Sequence, residues 1–522
     1  MSMSQPATPQ QPAARKLSLK ERYTLMTRDL AWDTTYQPMS KVYPQVDFEG
    51  IKIHDWNQWE DPFRLTMDAY WKYQAEKERK LYAILDAFNQ NNGHLSVTDA
   101  RYINVLKLYL GSTPPLELMA ARGFTNMGRH MVGAGPRVAC LMQAVDEYRH
   151  FQTQIHSVSN YNKFYNGLDE FAHQQSRMWY LSDGKSFFDD AITAGPFEFM
   201  VAIGFAFEYV LTNILFVPFI SGAAYNGDLA AMTVGFSAQS DEARHMTLGL
   251  ECIKFMLEQD PANLPIVQRW IDKWTWRGTR KLGAVGMMMD YMLPKRIMSF
   301  KEAWEIYFEQ NGAALFNDLA RYGVRIPACF GQTVVEKEHV SHQSWIGFYM
   351  KAKAMSFHTW VPAKEELDWL SAKYPDTFDR YYRPTLEYWD RMEKQGKRFI
   401  NHTQPMNCQC CLNTVKYNEP DDPMSTCFRE SVYKGEKFHF CSDHCKAIFD
   451  AEPEKYIQAY ISSHQALQGN CAPEGVDASA PDFDPGPYMA EFWRLDPRAT
   501  GDFNGSDDQK NFAAWRQLAT TN

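Results

Sequence analysis

The sequence predicts an all-α protein whose centre is a bundle of long helices, followed by a small cysteine-rich module. Over most of positions 61–400, apolar residues recur at spacings of three and four, which places them on one face of a helix. Two closely similar pentads, DEYRH at 146–150 and DEARH at 241–245, lie on such segments. Six cysteines crowd between 408 and 445, where short strand-like pieces replace the helical pattern.

Composition divides the chain of 522 residues into four segments. Residues 1–60 are predicted to form a flexible lead and an arm, because their prolines and scattered aromatics show no sustained periodicity. A helical domain covers 61–400, the cysteine-rich module covers 401–461, and an extended tail rich in Pro, Gly, Asp and Ala covers 462–522. The first residues contain no apolar stretch typical of a secretory signal, so the expected location is the cytoplasm.

Charge and hydropathy argue against nucleic acid and membrane as partners. With 54 Lys and Arg against 63 Asp and Glu, the formal net charge is −9, which disfavours binding to anionic surfaces. The segment from Phe199 to Ile220 has the length of a membrane span, but Glu208 lies at its middle. A carboxylate at the bilayer centre costs about 2.5 to 3.5 kcal/mol. We therefore predict a helix buried in the protein core.

Capping signals predict where the central helices begin. Residues 112–115, Ser-Thr-Pro-Pro, favour a helix start or a kink, which would put Glu117 near a first turn. Gly-Pro pairs at 135–136 and 195–196 punctuate the following segments. The prediction is four central helices, each carrying one glutamate; these glutamates are Glu117, Glu147, Glu208 and Glu242.

The two pentads carry the strongest chemical signal. Each contains Glu-x-x-His, with Glu147 and His150 in one copy and Glu242 and His245 in the other. Residues three apart on a helix project from the same face, so the carboxylate and the imidazole can bind one metal ion. One copy is expected by chance in a chain with 14 histidines, whereas two copies that share a flanking Asp and an internal Arg are not. Exposed faces with intrahelical salt bridges are disfavoured, because both segments are strongly apolar.

Two further glutamates complete a ligand set for a pair of iron ions. A di-iron carboxylate bundle takes one Glu from each of two helices and Glu-x-x-His from each of the other two. Glu117 precedes Glu147 by 30 positions and Glu208 precedes Glu242 by 34, so each single glutamate can come from the helix before its paired motif. The sequence therefore predicts a ferritin-like di-iron core within the larger helical domain.

With these residues, the chain resembles the large, oxygenase-bearing subunit of soluble bacterial multicomponent di-iron monooxygenases, and among them the phenol hydroxylases. The resemblance covers about 60–460 and is carried by Glu117, the pentad 146–150, Glu208 and the pentad 241–245. It implies two ligand triads, which are Glu117, Glu147 and His150 for one iron and Glu208, Glu242 and His245 for the other.

The residues flanking the ligands have an expected role as well. A metal-bound imidazole is usually oriented by a carboxylate at its other nitrogen. The resemblance implies a crosswise pairing, in which Asp241 holds His150 and Asp146 holds His245. The arginines expected to neutralise these aspartates are Arg149 and Arg244. For each Asp or Arg taken alone, an ordinary helix salt bridge is the alternative.

An oxygenating site needs a dry cavity beside the metal. Residues close to the ligands in sequence are candidates for its wall, and the resemblance adds Gln154 and Phe187. The full predicted set is Thr113, Leu116, Ala120, Gln154, Phe187, Phe207 and Phe216. Taken singly, each aromatic residue also fits plain core packing.

Thr212 and Asn213 are the candidate catalytic residues beyond the metal ligands. Thr212 lies four residues after Glu208, so on a regular helix it projects from the same face and can relay protons. The resemblance places this threonine at the oxygen-activating site and Asn213 in a distorted, effector-sensitive helix turn. The alternative for Thr212 is a hydroxyl bonded back to its own helix.

The cysteine-rich module offers a second metal site. Cys408-x-x-Cys411 and Cys441-x-x-x-Cys445 form two turn-sized pairs with 29 residues between them. Four thiolates suit one structural zinc ion, and an iron–sulfur cluster is the competing interpretation. The strand-like SVYKGEKFHF followed by a cysteine pair entering a helix resembles a zinc-ribbon or YHS-type module. Cysteines left over, and histidines that offer substitute ligands, are Cys410, Cys427, His439 and His444.

The resulting hypothesis is a di-iron oxygenase subunit that hydroxylates phenol, and methylphenols, to catechols with dioxygen. No Gly-rich dinucleotide fingerprint and no ferredoxin-type cluster set is visible, so electrons from NAD(P)H must arrive through a separate reductase. The resemblance implies FAD and iron–sulfur on that reductase, smaller beta and gamma subunits in a paired hetero-oligomer, and a small effector protein.

Several alternatives remain open at this point. A toluene, alkene or alkane monooxygenase subunit shares the iron ligands, although the cysteine module favours phenol hydroxylase. A ribonucleotide reductase subunit needs a redox tyrosine beside the metal, and Tyr148 and Tyr209 are predicted to face away from it. A metal-free scaffold subunit should have lost ligands, whereas all six are present. An iron-storage bundle needs neither this length nor a second metal module.

Overall fold

A computed structural model describes the greater part of the helical region and of the cysteine-rich module. The described residues are 16–28, 36–37, 41, 50–165, 168, 179–293, 296, 298–351, 360–395, 406–415, 429–459, 474–477 and 480. Most of the predicted lead and arm, most of the tail at 462–522, and Cys427 lie outside them. The four segment boundaries therefore stay predictions.

The described residues are mainly helical, as the sequence predicts. The α-helices are α1 (Leu19–Thr27), α2 (Met67–Gln90), α3 (Ala100–His130), α4 (Ala134–Tyr161), α5 (Trp179–Ile192), α6 (Pro196–Phe199), α7 (Glu208–Tyr225), α8 (Leu229–Gln259), α9 (Leu264–Thr279), α10 (Leu282–Met287), α11 (Phe300–Trp304), α12 (Asn311–Leu319), α13 (Phe330–Glu336), α14 (Val340–Lys351), α15 (Lys364–Lys373), α16 (Phe378–Tyr381), α17 (Arg383–Lys394), α18 (Asp443–Ala451) and α19 (Pro453–Tyr456). Wider, π-helical segments are Met200–Phe207, Met288–Met292 and Glu305–Gln310. Short 3₁₀ turns are Trp56–Gln58, Gly93–Ser96, Pro261–Asn263 and Ala320–Tyr322.

Helices α3, α4, α7 and α8 form the central bundle, against which α2 packs. One buried carboxylate joins three of them. Asp228 caps the first turn of α8 by accepting from the Ala231 amide, and it also accepts hydrogen bonds from Tyr161 on α4 and Tyr102 on α3. Because such a cap satisfies an otherwise unpaired amide, Asp228 fixes the start of α8. Its bonds to Tyr161 and Tyr102 also fix the position of α8 along the bundle axis relative to α4 and α3.

The predicted start of a helix at residues 112–115 is wrong, because α3 runs without interruption from Ala100 to His130. Its N-cap is Asp99, whose side chain accepts from the amides of Arg101 and Tyr102. The Ser112 hydroxyl donates to the Leu108 carbonyl of the preceding helical turn, so Ser112 lies inside the helix. Glu117 therefore lies in the middle of α3, flanked by helix on both sides.

The apolar segment predicted to be a buried core helix is continuous with a π-helical stretch. Together they form Pro196–Tyr225, which is long and apolar enough to cross a membrane, yet 72% of its most apolar window is buried inside the protein. Burial of most of the segment explains why it carries no polar stripe. The π-helical part ends at Phe207, so Glu208 starts the regular helix α7.

Two glycines allow this stretch to lie directly on α8. A Cβ added at Gly249 would overlap the backbone carbonyl of Gly204, and the Cα of Gly249 lies 3.2 Å from the Cβ that Gly204 lacks. No side chain can move aside there, because both contacting groups are backbone. The close approach therefore sets the distance between the helices that carry Glu208 and Glu242.

Gly249→Ala is expected to destabilise the protein by about 3 kcal/mol or more, because overpacking of backbone against backbone cannot relax. The measurement is the free energy of unfolding in denaturant, or the melting temperature. Gly331→Ala is the matched control, since a Cβ at Gly331 meets nothing within 4 Å. Its expected effect is between zero and about 1 kcal/mol of stabilisation. Equal effects of the two changes would contradict the close approach.

A helix lies within the segment predicted to be a lead and an arm. Helix α1 begins with a capping box in which Ser18 and Glu21 satisfy each other's backbone amides. The buried Tyr23 hydroxyl accepts from the Asp61 amide at 3.4 Å, which ties α1 to the start of the helical domain. Apolar periodicity did not reveal this helix, because only one turn of it is buried.

The cysteine-rich module contains two small antiparallel sheets and a helix. Strand β1 (Met406–Asn407) pairs with β2 (Thr414–Val415), and β3 (Arg429–Tyr433) pairs with β4 (Glu436–Phe440). The turn between β3 and β4 has positive φ at Lys434 and Gly435, as tight hairpins require. Ser442 caps α18 by accepting from the Cys445 amide, so the second cysteine pair enters a helix as predicted.

Candidate metal centres and cavity

The four bundle helices bring the six predicted iron ligands together. On one side, the Nδ1 atom of His150 lies 3.7 Å from Oε2 of Glu117 and 3.4 Å from Oε2 of Glu147. The same atom lies 3.9 Å from Oε1 of Glu242. The donor atoms of Glu117, Glu147 and His150 all lie within 4.8 Å of one another, which is the spacing that a shared metal ion requires.

The second half of the cluster is centred on His245. Its Nδ1 atom lies 3.3 Å from Oε1 of Glu147, 3.3 Å from Oε2 of Glu242 and 3.9 Å from Oε2 of Glu208. Glu147 therefore contacts both histidines, one through each oxygen, and Glu242 lies between them in the same way. Two carboxylates so placed can bridge two metal ions.

Several features of this cluster fit metal ions. The Nδ1 atoms of His150 and His245 are buried and make no hydrogen bond among the described residues, although both face carboxylate oxygens. A neutral imidazole nitrogen of this kind binds a metal through its lone pair. Six carboxylates, four Glu and two Asp, contact the two histidines, and they outnumber the three cations that contact the aspartates. Buried carboxylates at this density are neutralised either by protons or by added cations.

The ionisation of the glutamates reflects the same excess of negative charge. Burial raises the pKa of Glu147 to about 7 and raises that of Glu208 well above its usual value. Burial opposes the ionisation of Glu117 as well, but the neighbouring His150 holds the pKa of Glu117 below its usual value. Metal binding requires ionised carboxylates and neutral imidazoles, so a bound cation would displace protons from this cluster.

The flanking aspartates contact the histidines crosswise. Nε2 of His150 lies 3.1 Å from Oδ2 of Asp241, and Nε2 of His245 lies 3.2 Å from Oδ2 of Asp146. Arg149 contacts both aspartates, and Arg244 pairs with Asp146. These contacts hold each ring with Nδ1 toward the glutamates.

Helix α2 supplies a further layer that the sequence did not reveal. The buried Gln74 amide donates to Asp146 at 2.8 Å and to Asp241 at 2.9 Å, so one NH₂ group joins the two aspartates. The Tyr70 hydroxyl donates to Asp146, and Lys77 pairs with Asp241. The only sequence signal for these residues is their position on one face of an amphipathic helix. On α4, Gln143 was also missed, and its amide donates to both oxygens of Glu208.

Asp241→Asn is expected to weaken metal binding on the His150 side about 10- to 100-fold, because an amide cannot hold the imidazole as a carboxylate does. The weakened position should lie on the opposite helix, because Asp241 shares a helix with His245 but contacts His150. Asp146→Asn is the mirror variant and should weaken the His245 side. Metal affinity by chelator competition, with spectroscopy that separates the two positions, measures both. Weaker metal binding beside the histidine of the substituted helix itself would contradict the crosswise pairing of aspartates and histidines.

An apolar cavity opens directly on the carboxylate cluster. It encloses about 520 Å³ of empty space, including the part open to solvent, and Glu117, Glu147, Glu208 and Glu242 form one wall. We call it the metal-side chamber. Predicted wall residues that line it are Thr113, Leu116, Ala120, Phe207 and Phe216.

Two predicted wall residues lie elsewhere. Phe187 is fully buried between Phe207 and Trp274 and does not line the chamber, whereas its neighbour Phe188 does. Gln154 lies behind the wall, where its amide donates to Glu117 at 2.8 Å and its carbonyl accepts from Thr113 at 2.7 Å. It therefore connects a wall residue to a predicted ligand.

Thr212 lines the metal-side chamber, and its hydroxyl donates to the Phe207 carbonyl at 3.3 Å. The Thr212 hydroxyl thus bonds back to its own helix, as the alternative interpretation predicts. The bond is long enough to break readily. Asn213 lies in the regular part of α7 and does not line the chamber. The distorted segment lies before Glu208, at Met200–Phe207, so the placement of Asn213 in a distorted turn is corrected. π-Helical segments occur frequently at functional sites.

A second chamber adjoins the first. It encloses about 730 Å³ of empty space and shares six wall residues with the metal-side chamber, which are Tyr109, Thr113, Leu116, Phe188, Phe207 and Leu215. Its far wall contains Asp183 and Lys281, whose charged groups lie 3.7 Å apart. Burial raises the pKa of Asp183 to about 6. The six shared residues place the two chambers side by side.

The four predicted zinc ligands lie together in the cysteine-rich module. Sγ donors of Cys408, Cys411, Cys441 and Cys445 are all within 4.8 Å of one another and buried. Cys441 lies 3.6 Å from both Cys411 and Cys445, close to the edge of about 3.8 Å in a tetrahedron with zinc–sulfur bonds of about 2.3 Å. Cys410, His439 and His444 are not among these donors.

The module is anchored to the helical domain through buried polar contacts. Trp276 donates to Sγ of Cys445 at 3.1 Å, and Arg277 donates to the Cys410 carbonyl at 2.9 Å. Arg277 also pairs with Asp190, which accepts from Tyr456 at 2.8 Å. Although burial opposes it, the charge of Arg277 holds the pKa of Asp190 at about 2.

Comparison with known proteins places these features in a wider context. Residues 32–260 match the model of the family "Methane/Phenol/Alkene Hydroxylase", and residues 417–460 match that of the YHS domain. The phenol 2-monooxygenase oxygenase component DmpN of Pseudomonas sp. strain CF600 is 62% identical over 463 residues, which cover 89% of each chain. The alpha subunit of the oxygenase component of an alkene monooxygenase system from Xanthobacter autotrophicus is 27% identical over 450 residues, or 83% of this chain and 87% of that one.

A solved structure resembles the fold over nearly its whole length. Xenon-pressurised phenol hydroxylase from Pseudomonas sp. OX1 superposes with a TM-score of 0.86 at 57% identity, covering 96% of this chain and 100% of the other. The predicted all-α class and the predicted resemblance are thereby confirmed.

Proposed function

Because the chain belongs to the methane/phenol/alkene hydroxylase family of di-iron monooxygenases, we propose that it is the oxygenase component that converts phenol, and methylphenols, to catechols. The observation that carries the proposal is the opening of the carboxylate–histidine cluster directly onto an apolar chamber. Such a chamber admits a small arene and excludes the water that would compete with it. The 62% identity to DmpN favours phenol over other arenes.

Two iron ions are proposed to bind in the cluster. Glu117, Glu147 and His150 would hold one ion, and Glu208, Glu242 and His245 would hold the other. Glu147 and Glu242 lie between the two positions. Iron bound there supplies the reduction and activation of dioxygen.

The chain's own residues would bind the substrate and handle protons. The aromatic and aliphatic wall positions the ring and keeps water out. Thr212 holds a proton on a hydroxyl within the chamber, and breaking its long bond to the Phe207 carbonyl makes that proton available. Gln154 orients Glu117 and is itself held by Thr113.

Electrons for the reaction would come from NAD(P)H through a separate reductase that carries FAD and an iron–sulfur cluster. Smaller beta and gamma subunits and a small effector protein complete the proposed assembly. DmpN is named as an oxygenase component, and the alkene monooxygenase chain as the alpha subunit of one, which supports a multicomponent assembly. One zinc ion in the cysteine cluster would have a structural role, and the proposed location is the cytoplasm.

The test is hydroxylation by the reconstituted system. The purified chain with its co-expressed subunits, ferrous iron, NADH, a phenol hydroxylase reductase and effector should incorporate one atom of ¹⁸O₂ into catechol. Mössbauer spectra of an iron-57 sample should show a coupled pair of ions, and metal analysis should give two irons and one zinc per chain. Zinc without iron after anaerobic reconstitution would support the scaffold alternative. Preferred oxidation of propene or toluene would support the related monooxygenases.

A further inference from the structure

Tyr109 lines the cavity beside the metal ligands, although it is not among the predicted site residues. It lies on α3 two turns before Glu117 and lines both the metal-side chamber and the second chamber. Its side chain is 2% exposed. Residues 109, 113 and 117 follow one another at spacings of four, so they lie on the same face of the helix. Tyr109 therefore belongs to the wall between the two chambers.

The Tyr109 hydroxyl makes no hydrogen bond with any residue that the structure describes. Other hydroxyls in the metal-side chamber have partners: Thr113 donates to Gln154, and Thr212 donates to the Phe207 carbonyl. A buried tyrosine hydroxyl normally finds a partner, because an unpaired one loses its hydration without compensation. Since this residue lines open space, a molecule inside the cavity can supply the missing partner.

The direction of the hydroxyl is fixed by ring packing. The ring of Tyr109 stacks on that of Phe219 at 3.6 Å between centroids, with 9° between the planes. A stacked ring on a buried helix cannot swing away, so the hydroxyl acts as a preformed contact. Burial, together with the charges of Glu117 and Glu242, raises the pKa of Tyr109 well above its usual value. The group is therefore protonated at neutral pH and can donate or accept.

We propose that the Tyr109 hydroxyl binds the hydroxyl group of a phenolic substrate and so determines which ring carbon faces the carboxylate–histidine cluster. An anchored hydroxyl leaves only carbons on one side of the ring free to reach the cluster, and oxidation of the neighbouring carbon gives catechol. The inference rests on the proposed function for its substrate class. It makes Tyr109 a specificity residue that distinguishes phenols from arenes without a hydroxyl.

The experiment compares Tyr109→Phe with the wild-type chain in the complete oxygenase complex. Phenylalanine keeps the ring that stacks on Phe219 and removes only the hydroxyl. For phenol, KM and the dissociation constant measured by calorimetry on the resting complex should rise about five- to tenfold, the effect of one lost hydrogen bond. For benzene, both constants should change less than about twofold, because benzene cannot use the hydroxyl. The catechol fraction of the products should fall as other dihydroxybenzenes appear.

Tyr209→Phe is the matched control, because Tyr209 follows Glu208 but lines neither chamber and stacks on Phe205 instead. It should leave the affinity for phenol and the product ratio unchanged. Equal changes for phenol and benzene in Tyr109→Phe, or unchanged phenol affinity, would overturn the proposal. A wild-type complex that binds phenol no more tightly than benzene would overturn it as well, since an apolar wall alone favours benzene. If the wild-type complex binds phenol without oxidising it, the proposed function fails while the binding comparison still decides the role of Tyr109.

Discussion

Glu147→Ala should remove iron from both halves of the carboxylate–histidine cluster. One oxygen of Glu147 lies 3.4 Å from Nδ1 of His150, and the other lies 3.3 Å from Nδ1 of His245. Alanine therefore deletes a carboxylate that lies close to both histidines. Loss of a residue that only orients a ligand costs about 10- to 100-fold in metal affinity, so loss of a carboxylate that would serve both iron positions should cost more. We expect iron content to fall from two ions to fewer than about one per chain and hydroxylation to fall more than about 100-fold.

Two further variants separate loss of a carboxylate near both histidines from loss of one near a single histidine. Glu208→Ala deletes a donor near His245 only, so it should abolish iron loading at one position while keeping the other iron and the zinc. Glu251→Ala on α8 is the control, because Glu251 pairs with Lys254 away from the cluster. Metal analysis and Mössbauer spectra of each variant provide the measurement. Retention of two irons and full activity in Glu208→Ala would overturn the ligand assignment. Identical iron loss in the Glu147 and Glu208 variants would contradict a role of Glu147 in both halves of the cluster.

The ligand-bearing pairs could be predicted because their geometry is local. Glu147 and His150 share a helix face whatever the rest of the protein does, and the same holds for Glu242 and His245. The class of the fold followed from the same periodicity. Burial of the segment around Glu208 could also be predicted, because an apolar helix with one carboxylate is stable only inside a protein.

Contacts between distant segments could not be predicted in this way. Gln74 and Tyr70 reach Asp146 across 72 and 76 positions, and nothing in the local pattern of α2 indicates which face meets the aspartates. Phe187 was predicted to line the chamber, but Phe188 lines it instead. Which of the two faces the chamber depends on the rotation of α5 about its axis. Periodicity leaves that rotation undetermined where two neighbouring residues are both aromatic. The buried anchor between Arg277 and Asp190 likewise spans 87 positions.

Cys445→Ser should release zinc and unfold the cysteine-rich module while leaving iron in place. The four sulfur atoms are buried within 4.8 Å of one another, and the described part of the module has only short strands and two small helices to hold it otherwise. In zinc-finger peptides, zinc binding contributes about 10 to 16 kcal/mol, far more than so small a core can supply. The substitution also removes the sulfur that accepts from Trp276, so the contact with α9 weakens together with the module.

Cys410→Ala is the control that shows whether the effects of Cys445→Ser come from loss of zinc or from removal of a buried thiol as such. Cys410 is as buried as Cys445 and adjacent to a predicted ligand, but it does not belong to the four-sulfur cluster, and it contacts Arg277 through its backbone carbonyl. Its replacement should keep one zinc per chain and cost about 1 kcal/mol of stability, from the small cavity left behind and the lost contact of its thiol with that of Cys445. Zinc analysis and limited proteolysis of the module measure both variants. If Cys410→Ala lost zinc and Cys445→Ser kept it, the zinc would require a different ligand set. If Cys445→Ser alone loses zinc, the module folds around four thiolates and its contact with α9 depends on them.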